Sequence, residues 1–156
     1  RLMYPILLSL HSLVRWFVLL SLIVALYRAF RGWFKNKQFT KIDNTVRSNT
    51  TSIAHFQLVL GLLLYFISPL LDYFLHNFKE AVHDRQLRFF GIEHGLMMMT
   101  GIVIITVGSE RIKRKNTDRE KFKTMAIWFT IGLLVILSSI PWEFSPLVNR
   151  PLFRPF

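Results

Sequence analysis

Cysteine is absent from the 156 residues. Its absence removes a disulfide framework, thiolate-ligated zinc and cysteine-held iron–sulfur clusters together. Charge is scarce as well: 19% of residues are Asp, Glu, Lys or Arg, against about a quarter in an ordinary soluble domain. Acids are the scarcest, nine against twenty Lys and Arg. What remains is apolar, with 52% hydrophobic residues, fifteen Phe, four Trp and a mean hydropathy of +0.37. Such a chain has too much apolar mass for disorder, and its length suits one domain rather than two.

A net charge of +11 raises the question of nucleic acid, and the placement of the charge answers it. Segment Arg28–Arg47 holds six basic residues and one acid, Asp43. Segment Glu110–Lys123 holds seven basic residues and three acids. Between them, Pro69–Glu93 carries three basic residues against four acids. Cation-rich and cation-poor connections that alternate between long apolar runs are the mark of the positive-inside rule. The pattern points to a bilayer and away from nucleic acid.

A bilayer core of about 30 Å needs roughly 20 helical residues. Four runs qualify: Pro5–Tyr27, Thr50–Ser68, Phe89–Gly108 and Phe122–Ile140. Pro5 suits a first helical turn, and Pro69 and Pro141 mark helix ends. Continuous apolar runs exclude a membrane β-barrel, whose strands alternate. The expected fold is an all-α membrane protein: one domain over 1–156, a four-transmembrane-helix up-down bundle, basic connections cytoplasmic and both termini outside. The first run is too long, and too polar at His11 and Arg15, to read as a cleaved signal. Asp72–Arg88 reads as an amphipathic surface helix with Phe74, Phe78, Ala81 and Val82 on one side. The tail 141–156 interleaves Pro141, Pro146, Pro151 and Pro155 with Trp142, Phe144, Phe153 and Phe156. It reads as an extended strip along the interface or a docking site for another subunit.

Ionisable groups inside hydrocarbon are costly, so those present are the candidates for function. They are His11 and Arg15 in the first run, His55 with Gln57 in the second, and Glu93 with His94 at the mouth of the third. At about 1.5 Å per residue, His11 and His94 each lie roughly 7 Å outward of their helix centres, and His55 about 13 Å lower. His11 and His94 can therefore share a metal, and His55 cannot join them. Imidazoles from two parallel helices match a bis-histidine haem b site. Gly101, with Gly91 and Gly95, would give a macrocycle room. Arg15 follows His11 by one turn and needs a partner, for which a haem propionate, Glu93 and a quinone carbonyl all qualify. Helix-packing histidines are the plain alternative. His55 is read as a proton relay, a quinone-site donor or a hydrogen bond to the first helix. Met97 and Met98 share the face of His94, so a copper(I) site competes with haem. His76, Glu80 and His83 form a weaker peripheral candidate on the surface helix.

The segments Leu10-His11-Ser12-Leu13-Val14-Arg15-Trp16, Ala54-His55-Phe56-Gln57 through Gly61 to Tyr65 and Ser68-Pro69, Glu93-His94 and Ile140-Pro141-Trp142-Glu143-Phe144 together resemble a family of small bacterial four-helix membrane proteins labelled cytochrome b or cytochrome-b-like. The resemblance covers nearly the whole chain. It implies a four-helix bundle of the bacterial inner membrane with a haem b role. His11, His55 and His94 are then candidate ligands, with Arg15 and Glu93 in support. The function expected is electron transfer with quinol or a respiratory partner rather than stand-alone catalysis. The alternatives are a non-catalytic accessory subunit and a copper-handling protein. Partners consistent with this reading are the lipid bilayer, subunits of a membrane complex, or a second copy of the chain.

Overall fold

A computed structural model describes residues 2–142, 145, 148 and 150–155. Among them there is no strand. Four long helical segments are apolar enough to cross a membrane: α1 (Met3–Phe34), α2 (Lys41–Ile67), the segment Arg85–Lys113, and α7 (Asp118–Ser139). The third segment starts with the short α5 (Arg85–Arg88), widens into a π turn (Phe89–Glu93) and continues as α6 (His94–Lys113). Between α2 and α5 lie α3 (Pro69–His76) and α4 (Phe78–Ala81). The described part of the tail after Ser139 has no regular structure.

The helices overrun their apolar stretches at the basic ends. The connections expected across Arg28–Arg47 and Glu110–Lys123 shrink to Lys35–Thr40 and Arg114–Thr117, because the remaining cations sit in helical turns. Local chemistry explains where these turns stop. After α1, Asn36 takes a positive φ of 48°, and the Lys37 amide closes on the Gly32 carbonyl at 3.0 Å. That is the left-handed stop that Asn tolerates better than most residues. A capping box starts α2: Thr40 accepts from the Asp43 amide, and the Asp43 carboxylate accepts from the Thr40 amide at 2.8 Å. The same carboxylate accepts from Arg28 Nε at 2.7 Å and so ties α1 to α2. Arg47 donates to Ser109 Oγ, which ties α2 to α6 at the same end.

In cross-section the spans form a ring in which α1 touches α2 and α7, and α6 touches α2 and α7. This leaves α1 and α6 diagonally opposed. The core is lined by Val18, Leu22, Ala25, Ile105, Met125 and Phe129. Large apolar side chains such as Phe17, Leu20, Ile23, Phe66 and Leu134 face outward. On a soluble protein so many would be a liability, and on a membrane span they are the lipid contact. The tightest seam joins α6 to α7 through Gly101 and Gly132. A Cβ on Gly101 would stand 2.8 Å from Ile136 and 3.4 Å from the Gly132 carbonyl. Small residues here let the two backbones approach closely.

The single amphipathic helix expected over Asp72–Arg88 is instead three short pieces, broken at Asn77 and over Val82–Asp84. Phe74 and Ala81 are buried as expected, but Phe78 is half exposed. The break has a packing cause. Phe74 fits against Gly91, where a Cβ would overlap its ring, and this pulls α3 onto the start of the third span.

Candidate functional site

The π turn delivers His94 into the bundle. Such wide turns are rare and shift the register of every later side chain. Tyr65 from α2 donates its hydroxyl to the Gly91 carbonyl inside that turn at 2.9 Å. His94 begins α6 directly afterwards, with Phe89 and Phe90 packed on its ring.

His94 Nδ1 lies 2.9 Å from the Ser139 carbonyl. A carbonyl can only accept, so Nδ1 carries the proton and Nε2 keeps its lone pair. The carbonyl is available because Ser139 ends α7, where the last carbonyls have no partner within the helix. A histidine held in this way is the usual arrangement for a metal ligand.

His11 comes from α1 on the opposite side. The two rings stand 6.4 Å apart between centroids, with their planes at 74°. A metal–imidazole bond of about 2.0–2.1 Å, plus roughly 1.1 Å from nitrogen to ring centre on each side, gives about 6.3 Å for two imidazoles on one ion. The spacing is that of an ordinary edge-to-face ring contact, and it also matches two imidazoles on one metal. Its Nδ1 is sealed from solvent without a partner. On the α2 side, Gly61 faces the ring, and a Cβ there would lie 3.4 Å from His11 Cε1. Gln57, one turn from Gly61, donates Nε2 to the His11 carbonyl at 2.8 Å, while its Oε1 is left buried and unpartnered.

Two imidazoles are too few for a bare transition ion, and among the described residues no cluster of three or more His, Cys, Asp or Glu groups is placed to hold one. Two imidazoles would suit a group that brings its remaining donors with it, such as a metalloporphyrin. When bound, haem would supply a one-electron couple, and His11 and His94 would be the residues to hold it.

The other candidates are placed as follows. His55 does not reach the pair: it lies six residues before Gly61, about 9 Å along the helix, and hydrogen-bonds Thr106 on α6 at 2.8 Å rather than α1. Glu93 takes Arg88 Nε at 2.7 Å and leaves Arg15 alone. Gly101 serves the α6–α7 seam and Gly91 serves Phe74, so neither makes room beside His94. Gly95 alone has nothing within 4 Å of a Cβ position. Met98 packs into the core, but Met97 and Met99 are 38% and 44% exposed, so the thioethers do not converge on His94. His76 turns back to the Asp72 carbonyl at the end of α3, and the broken helix separates it from His83.

Of the expected partners Glu93 alone belongs to the chain, and Arg15 does not meet it. Arg15 Nη2 donates to the Leu152 carbonyl at 2.5 Å and touches Ser12 Oγ at 3.5 Å. The tail therefore folds back onto the bundle. Trp16 Nε1 also donates to Leu152, Phe153 stacks on Trp16 at 5.3 Å, and Ser9 donates to the Pro155 carbonyl at 2.7 Å. At its other end Arg150 lies over Phe90 at 4.8 Å. Of the tail residues singled out from the sequence, Phe144, Pro146 and Phe156, with Glu143 of the quoted motif, lie outside the described residues.

Sequence reasoning missed three contributors to this site: Tyr65 as the brace of the π turn, the Ser139 carbonyl, and Leu152 as the partner of Arg15. Only Ser139 had a local signal, its place two residues before Pro141. Comparison with known proteins adds no relative, since no protein-family model, curated protein or solved structure matches this chain.

Proposed function

We propose that the chain is a haem b-binding cytochrome of a bacterial inner membrane, passing single electrons to or from quinol or a respiratory partner. In this reading the basic helix ends face the cytoplasm, and both termini, α3 and α4 face outside, in keeping with the charge asymmetry. One observation carries it: His11 and His94, on diagonally opposed helices, stand at the spacing of two ligands on one metal. The Nδ1–H of His94, donated to the Ser139 carbonyl, adds support, since it leaves Nε2 with a lone pair for a metal.

The chain's own contribution is to hold two imidazoles in apolar surroundings and to exclude water. Burial and axial ligand type are the levers by which a protein sets a haem potential. The test is an absorption spectrum of the full chain, produced in haem-replete membranes and purified in mild detergent. Reduction by dithionite should shift a Soret band, and His11→Ala or His94→Ala should each abolish the pigment. A colourless protein overturns the reading. Iron without copper in elemental analysis separates it from the copper alternative, which the outward-facing Met97 already disfavours.

A further inference from the structure

Arg15 sits twelve residues into a membrane-spanning helix, half buried, with its Nε sealed away from any partner. A cation at that depth normally meets an acid. Among the described residues no carboxylate pairs with Arg15, Arg150 or Arg154. The tail gathers these three charges. Arg154 lies between Phe153, stacked on Trp16, and Pro155, bonded to Ser9. Arg150 and Arg154 each lie two residues from Leu152, whose carbonyl Arg15 holds. Burial, then the neighbouring Arg154, lowers the pKa of Arg150. Three cationic residues are thus brought together where the tail crosses α1, with Arg15 held by a backbone carbonyl and Trp16, and Arg150 by the face of Phe90. Glu93 pairs with Arg88, and Asp72 lies beside His76.

We infer that Arg15, Arg150 and Arg154 form a binding site for an oxyanion supplied from outside the chain, a carboxylate or phosphate group seated between α1 and the folded-back tail. Guanidinium is the group best matched to such oxygens, since its planar fork donates two parallel hydrogen bonds. Arg15 still has Nε–H to give. Arg15 lies one turn from His11, and Arg150 rests on Phe90, which itself packs on His94. The site therefore adjoins the histidine pair. Two sources carry this chemistry: the propionates of a porphyrin held by that pair, or the phosphate of an anionic phospholipid. The first source rests on the cytochrome reading, and the second does not.

Two titrations on the full chain, delipidated in neutral detergent, distinguish these sources. One follows phosphatidylglycerol against net-neutral phosphatidylcholine by native mass spectrometry. The other follows haem b against its dimethyl ester, in which both propionates are blocked. In at least one titration the anionic member should bind roughly tenfold tighter, the worth of one charge-assisted hydrogen bond. The double variant Arg150→Gln/Arg154→Gln, altered only outside the spans, should erase that preference, as should Arg15→Gln where it folds. Preference in the lipid arm identifies phosphate, and preference in the porphyrin arm identifies propionate. No preference in either arm, or one the double variant leaves intact, overturns the site. A chain that takes up neither porphyrin fails as a cytochrome, and the lipid arm alone then decides this inference.

Discussion

Tyr65 on α2 donates its hydroxyl to the carbonyl of Gly91, across the seam to the third span and inside the one π turn of the described residues. Phe74 closes on the same glycine from α3. Together they pin the turn that sets the direction of His94. Tyr65→Phe should cost about 1–3 kcal/mol, the usual penalty for stranding a buried polar group. Hydrogen exchange at the amides of residues 91–95 should speed up with it. Unchanged exchange would show that the turn needs no brace.

Gln57 and His11 hold complementary unsatisfied groups, an acceptor at Oε1 and a ring nitrogen at Nδ1. With a metal on Nε2, His11 Nδ1 carries a proton, and Gln57 lies one turn from the glycine that faces the ring. Gln57→Leu should therefore weaken haem retention about 10- to 100-fold, the usual effect of losing a group that orients a ligand. Gln57→Glu should not rescue it, because a carboxylate cannot donate to the His11 carbonyl as Gln57 Nε2 does. Haem dissociation followed by transfer to an acceptor protein gives the comparison, and equal rates for wild type and Gln57→Leu would remove Gln57 from the site.

Two glycines of α6 should respond in opposite ways. Gly101→Leu forces a side chain against Ile136 and the Gly132 backbone, and overpacking of this kind costs about 1–3 kcal/mol. Gly95→Ala meets nothing within 4 Å and gains helix propensity of up to about 1 kcal/mol. Thermal unfolding in detergent should place Gly101→Leu below wild type and Gly95→Ala at or above it.

At the basic end, Asp43 both caps α2 and takes the Arg28 guanidinium, and only 3% of its side chain is exposed. Asp43→Ala should lower stability by about 2 kcal/mol, combining a lost cap with a lost charged hydrogen bond. Arg28→Gln, 32% exposed and able to turn to water, should cost less than Asp43→Ala. A double-mutant cycle on the two measures their coupling, and strict additivity would mean that the pair contributes nothing as a pair.

Ending the chain at Arg150 removes Leu152, the shared acceptor of Arg15 and Trp16, together with the stacked Phe153. Trp16 emission should shift, and the unfolding midpoint should fall by an amount corresponding to about 2–3 kcal/mol. An unchanged spectrum would mean that the tail does not rest on α1.

The four spans were legible in the sequence because hydropathy is summed over some twenty residues, and no single contact can reverse such a sum. The shared level of His11 and His94 was legible for a similar reason, since a helix converts residue count into depth at a constant rise. The basic helix ends were read too short, because apolarity stops where the bilayer does, while the helix continues to the caps at Asn36, Thr40 and Thr117. Asp72–Arg88 kept its buried Phe74 and lost its continuity, because the fit of that ring to Gly91 lies outside any local pattern.

The order of residues alone thus determined an apolar, four-helix membrane chain and singled out two histidines at one depth. Only the fold decided that these helices lie diagonally opposed and that Ser139 fixes the tautomer of one ring. The fold also decided that Arg15 turns to a carbonyl of the returning tail, 137 residues along the chain, rather than to Glu93. The physical reason is the same in each case. Spanning a membrane is an additive property of a segment, whereas the partner of a buried polar group is set by whichever lone pair the packing leaves unpaired beside it.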